Sequence, residues 1–408
     1  MNLLIFDYVS GGGYANTKLS SSILSEGYGM LQSIISDCKA AGHNVTTLLD
    51  SRLETFNPPN EADQIVSISS SGELHTKLKE LSNRVNAVYI IAPESEQVLE
   101  KLVETTESSG GTSLNCKIEA IKQVSNKMTT YEVLKKKGIP VPETLLLNIH
   151  EKPENIKRLI KELGYPLVLK PLDGVSCSGL SLIKDKNGIA RAIKKIGQKS
   201  MSEQFIAQKL IIGKAASACV ISTGDKALAV TLNKQLIILS SPDDESEYYG
   251  GFVPFEHKFK KETLRVVEKT VEGIMGLKGY VGVDMVLTKE GPVVMEVNPR
   301  LTTSYIGLKR SVNFNPAQAI IDAVIGRKLP KKVQTRDYTF FSKVEVPSDP
   351  QIIDETYKLK DVISSPFPIE DSKTVYALIA TSSTSLDGAQ SAFYRTKKRL
   401  LSLYCRGD

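Results

Sequence analysis

The sequence predicts an α/β domain followed by a larger α+β domain and a short αβ extension. Two patterns and the chain length argue for it. Over roughly the first 115 residues, short apolar runs alternate with segments of helical spacing, as in a small parallel sheet with helices on both faces. From about residue 200, strand-like segments follow one another with short connections, the texture of antiparallel hairpins. At 408 residues the chain exceeds one compact core, and that length suggests roughly two to three domains. The expected units are 1–115, 116–330 and 331–408.

In the first unit, 2–9 reads as a buried strand because Leu3, Leu4, Ile5 and Phe6 are apolar without interruption. The loop Ser10-Gly11-Gly12-Gly13 follows. Leu31, Ile34, Ile35 and Cys38 then recur at helical spacing, and Gly42 supplies a stop. Further strands are expected at 44–49, 64–68 and 87–91, with a helix at 73–81. In the second unit, Ser125-Asn126 precedes a helix at 127–137 that Gly138 closes. Pro140 and Pro142 hold the residues before them extended. A helix at 154–163 and strands at 167–170 and 180–183 come next, then strand segments at 202–208, 215–222, 227–233 and 235–239. A helix at 261–275 leads into a hairpin over 280–299. The last unit carries strands at 340–346 and 375–381 and a closing helix at 387–403.

Composition removes several classes. The formal charge of +6 is spread along the chain, which suits a polyanionic ligand but forms no aromatic-interleaved stripe for nucleic acid. The run Lys397-Lys398-Arg399 shares its helix with Leu400, Leu401 and Leu403 and reads as a solvated face. No window approaches the ~18 apolar residues that a membrane span needs. The five cysteines are scattered and odd in number, and the four histidines show no ligand spacing, so neither zinc nor a disulfide framework is expected. With no signal-peptide pattern at the start, these features point to the cytoplasm. The glycines at 11–13 lack dinucleotide-binding spacing. A homodimer is the default assembly.

The strongest chemical signal is Gly282-Val283-Asp284-Met285-Val286-Leu287, a tight turn, and Pro292-Val293-Val294-Met295-Glu296-Val297-Asn298-Pro299-Arg300. A hairpin sets Asp284 nearly opposite Glu296, and Glu296 and Asn298, two apart, share a face. Two carboxylates and an amide oxygen at one end of an apolar sheet are the hard ligands magnesium takes, the rest coming from water and phosphate. Arg300 follows and can fork onto a phosphoryl or carboxylate group. An ordinary hairpin with a polar mouth has the same outline. Leu167-Val168-Leu169-Lys170-Pro171 adds a lysine at the end of a buried strand, and Asp173-Gly174-Val175-Ser176-Cys177-Ser178-Gly179 can close backbone N–H groups over an anion. Lys127 opens a helix and offers a second charge, or is a plain surface lysine. Gln208-Lys209-Leu210-Ile211-Ile212-Gly213 runs from strand to turn and could pair its backbone with a purine edge. Cys177 could be imagined as a nucleophile, but no histidine lies near it in sequence and a buried small residue is the default.

In this order and spacing, Lys127, the Gly138-Ile139-Pro140-Val141-Pro142 stretch, Lys170-Pro171, the Ser/Gly loop, the hinge, Asp284 and Glu296-Val297-Asn298-Pro299-Arg300 resemble the ATP-grasp superfamily over roughly 115–325. The resemblance implies a Rossmann-like pre-ATP-grasp domain, a two-subdomain ATP-grasp fold and a C-terminal αβ extension. It implies ATP with magnesium, or manganese in its place. Lys127 and Lys170 would hold the phosphates, with Gly174, Ser176, Ser178 and Gly179 closing over them. Gln208, Lys209 and Leu210 would hold adenine, and Asp284, Glu296 and Asn298 the metal. Lys170 and Arg300 would be catalytic. The implied reaction is attack of a carboxylate on the γ-phosphate, then displacement of phosphate by an amine. Many members carry acids in and just after the hinge, where this chain has Gln208 and Ser217.

These departures, with Ser25-Glu26-Gly27-Tyr28-Gly29-Met30-Leu31 and Tyr248-Tyr249-Gly250-Gly251-Phe252-Val253-Pro254, are similar to the tyramine–glutamate ligase group of methanofuran synthesis. That resemblance implies small-molecule partners, an acid (the side chain of L-glutamate) and an amine (tyramine). Glu26 and Tyr28 read as lying just before a helix, where a carboxylate suits the helix dipole as well as it suits a substrate. Tyr249, Gly250 and Gly251 read as a mobile substrate loop or a plain turn. A ligase for another amino-acid or cofactor-precursor pair, a kinase releasing its phosphorylated product, and a non-catalytic ATP sensor remain as alternatives.

Overall fold

A computed structural model describes residues 1–174 and 177–405. Strands β1 (Asn2–Asp7), β2 (Asn44–Asp50), β3 (Gln64–Ile68) and β4 (Ala87–Ile91) form a parallel sheet in the order β3-β2-β1-β4. β1 is buried on both faces from residue 3 onward, which is why its apolar run does not alternate. Leu4 and Phe6 pack toward the helices Ser71–Ser82 and Val98–Ser108, while Leu3 and Ile5 pack toward the helix Ser21–Ala40. Asp7 therefore stands at the carboxyl end of the central strand, where open parallel sheets place their ligands.

The second sheet is antiparallel: β5 (Thr144–Asn148), β6 (Leu167–Pro171), β7 (Ser181–Ile183) and β8 (Gln204–Lys209), in the order β5-β8-β6-β7. The helices Pro153–Leu163 and Ile189–Lys199 cover it with Ile156, Ile160, Ile189 and Ile196. The third sheet is the largest. Its strands are β9 (Lys214–Thr223), β10 (Ala227–Ile238), β11 (Glu247–Val253), β12 (Lys278–Leu287), β13 (Pro292–Asn298), β14 (Tyr338–Pro347), β15 (Val362–Ser364) and β16 (Thr374–Ser383). They run β13-β12-β9-β10-β11-β14-β16-β15, antiparallel throughout. The segment after 331 is thus hydrogen-bonded into the same sheet as the Asp284–Glu296 pair, and the helix Leu386–Leu403 covers it through Ala389, Phe393 and Leu400.

Several elements differ from the sequence expectation. The segments 227–233 and 235–239 are one strand, β10, with register shifts at Ala229/Thr231 and Leu236/Ile237. Helices at Val98–Ser108, Ile118–Ser125, Ile189–Lys199, Tyr305–Ser311 and Pro316–Val324 were passed over. The first helix starts ten residues before Leu31, at Ser21, so Glu26 and Tyr28 lie inside it rather than ahead of it. Gly27 and Gly29 disguise it. Each costs an interior helix about 1 kcal/mol, yet a Cβ on Gly27 would stand 2.5 Å from Asp7 Oδ1 and one on Gly29 2.7 Å from Leu378. Tyr249-Gly250-Gly251 is not a mobile loop but the middle of β11, between β10 and β14. Strands squeeze that backbone from both sides: a Cβ on Gly250 would lie 2.1 Å from the Phe341 carbonyl oxygen, and one on Gly251 2.1 Å from that of Lys234.

No helix among the described residues is long and apolar enough to cross a membrane. Gly250 has φ +140°, where a side chain is strained even without the clash. Gly250→Ala is expected to destabilise the protein by about 3 kcal/mol or more, read from the midpoint of urea unfolding.

Candidate active site

The three sheets meet around a cavity of about 420 Å³. One wall is the β12–β13 hairpin, in which Asp284 faces Glu296 in register and Asn298 faces Gly282. Asp284 accepts hydrogen bonds from Gln235 Nε2 at 2.9 Å and Asn298 Nδ2 at 3.1 Å. The Asn298 amide oxygen is left as its acceptor. Burial, together with the neighbouring Glu296 charge, pushes the Asp284 carboxyl up to about 7. Burial also works against charge on Glu296, but Lys127 and Lys170 more than offset it and hold that carboxyl below its usual range. No three His, Cys, Asp or Glu side chains converge among the described residues, so the donor set is two carboxylates and an amide. It fits magnesium: the oxygens are hard, few and mutually repelling, and a divalent cation would relieve the repulsion.

The opposite wall carries the lysines. Asn126 caps the helix Lys127–Lys136 through the Met128 and Thr129 amides, which fixes Lys127 at the first helical position. Its Nζ donates to the Gly174 carbonyl at 2.7 Å and lies 3.2 Å from Glu296 Oε1, so one buried ammonium joins the loop after β6 to the carboxylate hairpin. Lys170 is buried on β6. Burial lowers its ammonium to about 8, Glu296 opposing and Lys127 adding to the shift. Gly174, Cys177 and Ser178 line the cavity. Gly179 does not. It turns the loop at φ +70°, with Pro171 Cγ 2.8 Å from where a Cβ would stand. Ser176 lies outside the described residues. Burial pushes the Cys177 thiol up to about 12, so it stays protonated and is a poor nucleophile.

Gln208, Lys209 and Leu210 also line the cavity. The Gln208 amide is occupied, donating to Thr144 Oγ1 at 2.9 Å. The Lys209 and Leu210 N–H groups are given to the Glu143 and Pro166 carbonyls at 3.0 and 3.3 Å. A purine edge at this hinge must therefore use other backbone groups, and Ile211, which follows and lines the cavity, extends the set.

Arg300 leaves β13 toward the first domain, where Glu94 Oε2 takes its Nε at 3.1 Å and its Nη2 at 3.0 Å. Nη1 donates to the Leu301 carbonyl. Glu26 lines the cavity but is already partnered, by Lys343 Nζ at 2.6 Å and Thr303 Oγ1 at 2.9 Å. Tyr248, not Tyr249, faces the cavity, as alternation along β11 requires. Sequence reasoning missed Asp7, Glu94, Gln235, Thr303 and Lys343. Asp7 ends β1 and Glu94 follows the end of β4, where the carboxyl-end rule for parallel sheets could have found them. Lys343 carries no local signal.

A pre-ATP-grasp domain model matches residues 43–121 and an ATP-grasp domain model matches residues 124–304. The chain thus carries a pre-ATP-grasp domain followed by an ATP-grasp domain. It is 28% identical over 339 residues to tyramine–L-glutamate ligase of Methanocaldococcus jannaschii, a match covering 83% of this chain and 94% of that one. Among solved structures it resembles biotin carboxylase of Campylobacter jejuni (TM-score 0.71, 14% identity, covering 100% of this chain and 95% of that one). It also resembles L-amino acid ligase of Bacillus licheniformis (TM-score 0.66, 16% identity, covering 98% and 97%).

Removing one member of a buried ion pair costs about 3–5 kcal/mol, because the other charge is stranded, whereas replacing both by apolar groups is far milder. Glu94→Ala is therefore expected to lower stability by about 3 kcal/mol, and the double variant Glu94→Leu/Arg300→Met to recover most of it in the same urea titration.

Proposed function

We propose that this ATP-dependent ligase joins the side-chain carboxylate of L-glutamate to tyramine through an acyl-phosphate, with magnesium as its metal. The observation that carries the reading is Lys127, whose single ammonium ties the Gly174 loop to the Glu296 carboxylate. It supports a phosphate loop and a metal hairpin meeting at one point, as phosphoryl transfer needs. The relationship to a tyramine–L-glutamate ligase over most of both chains supports the substrate pair, as do the scattered free cysteines the cytoplasm.

In this reading Lys127 and Lys170 neutralise the phosphates, and Gly174 and Ser178 offer the backbone that closes over them. The hinge 208–211 receives adenine. Asp284, Glu296 and Asn298 would hold magnesium, which supplies charge neutralisation at the transferring phosphoryl group. Arg300, held charged by Glu94, meets the acid substrate or the acyl-phosphate oxygens. Tyr248, rather than Tyr249, is the tyrosine of β11 that meets substrate, while Gly250 and Gly251 serve the sheet. The chain contributes no covalent step: it positions reactants and stabilises charge in a water-poor site.

Glu296→Ala is expected to abolish ATP turnover and, by stranding the buried Lys127 ammonium, to lower the unfolding midpoint. Glu296→Gln, which keeps an oxygen for Lys127, should lose turnover with the midpoint near that of the parent protein, and full activity in either variant would remove Glu296 from the metal site. Lys170→Ala should weaken ATP binding at least tenfold, about 1.4 kcal/mol, by calorimetric titration. Phosphate release from MgATP with glutamate fixed and amines varied tests the substrates. Release with tyramine and an amide of matching mass supports the reading, release with another amine replaces tyramine, and release without amine favours a kinase.

A further inference from the structure

The acids around the cavity are not equally provided for. Glu26 has Lys343, Glu296 has Lys127, and Asp284 has two amide donors on the proposed metal hairpin. Asp7 has no cation of its own among the described residues. It is 1% exposed and lines the cavity from the end of β1. Ser10 gives its amide at 2.7 Å and its hydroxyl at 2.9 Å to the same oxygen, Oδ1. Among the described residues no hydrogen bond of good geometry reaches Oδ2, although the Val9 amide lies close enough to favour the charged carboxylate.

The surroundings preserve this arrangement. A side chain at position 27 would fall 2.5 Å from Oδ1 and 3.1 Å from Oδ2, so the glycine inside the first helix is what leaves the carboxylate its place. The charged and titratable neighbours are otherwise engaged. Arg300 is committed to Glu94 and Glu26 to Lys343, and burial pushes the Tyr14 phenol up so that it stays neutral. Val9, Tyr14, Ile23 and Met30 line the same wall. A buried carboxylate with one open oxygen, no counter-ion and an apolar neighbourhood suits a cation carried on an apolar body.

We infer that this wall is the amine subsite of the ligase and that Asp7 Oδ2 pairs with the incoming ammonium and takes its proton. The inference rests on the ligase reading above. The ammonium gives one proton to Oδ2, and the freed electron pair forms the C–N bond to the acyl-phosphate carbon. The C–O bond to phosphate breaks, its electron pair leaves with inorganic phosphate, and the second nitrogen proton departs with it. Burial raises the Asp7 carboxyl to about 6, the Ser10 hydrogen bonds and the Arg300 charge pulling it back. It is therefore ionised at neutral pH yet close enough to accept a proton.

The test compares two acceptors in Asp7→Asn, with glutamate and MgATP. Hydroxylamine is uncharged at neutral pH and needs no base before attack; tyramine is an ammonium. The variant is expected to keep glutamyl hydroxamate formation within about threefold, which also shows that it folds, and to lose tyramide formation about 100-fold or more. Its remaining tyramide rate should climb about tenfold per pH unit, following the free-amine fraction. An unchanged tyramide rate would overturn the inference. Equal loss with both acceptors would make Asp7 an anchor for the loop after β1. Ser10→Ala, which loosens that anchor but keeps the carboxylate, should then reproduce the loss; under the inference it slows both acceptors alike and only slightly. Failure of the parent protein to form hydroxamate at all would overturn the ligase reading itself, and the subsite with it.

Discussion

Charge left alone inside a protein is costly, and the site is organised by the way this chain meets that constraint. An isolated ion in a low-dielectric interior costs several kcal/mol even after relaxation. Lys127, Arg300 and Glu26 are each answered by a partner from another part of the fold: Lys127 by Gly174 and Glu296, Arg300 by Glu94, Glu26 by Lys343. Such pairs add little net stability, because desolvation consumes most of their attraction. What they fix is position. A guanidinium held by Glu94 at two nitrogens cannot wander, and a helix tied to a distant strand through Glu26 and Lys343 keeps its register with the sheet.

The sheets supply the frame in which these charges can meet. The parallel sheet ends its central strand at Asp7, the four-stranded sheet ends β6 at Lys170-Pro171, and the large sheet presents the β12–β13 hairpin. Strand ends are where backbone stops using its own polar groups and side chains can turn inward. Around one cavity these ends, with the helices that carry Glu26 and Lys127, put four lysine or arginine cations and four carboxylates within reach of a single ligand. The charges are mutually compensating rather than all positive. That arrangement suits a substrate set that itself brings in both a polyphosphate and an ammonium.

Much of this was legible in the sequence where a local rule sufficed. The hairpin could be read because strand alternation fixes which residues share a face, and the register of Asp284 with Glu296 follows from a short turn. Lys127 and Lys170 could be placed because a cap and a buried strand end are written in neighbouring residues. The failures have equally physical origins. Glu26 and Tyr28 read as lying ahead of the helix because the purpose of Gly27 and Gly29 within it, room for Asp7 and Leu378, lies in other segments. Gly250 and Gly251 read as a hinge for the same reason, their crowding coming from β10 and β14. Lys343 was invisible: nothing near it in the chain says that a residue 317 positions away needs its charge.

That long separation has a consequence for how the molecule comes into being. The ATP-grasp match ends at residue 304, but Glu26 gains Lys343, and β11 gains its neighbour β14, only when residues 338–347 have left the ribosome. Until then the carboxylate in the first helix is uncompensated, and the large sheet has a raw edge at β11. Nascent chains therefore carry the ATP-grasp segment before the acid wall is settled. Completion of the acid wall is thus deferred to strands downstream of the ATP-grasp match, and β14, paired with β16, stitches shut both that wall and the open edge of the large sheet.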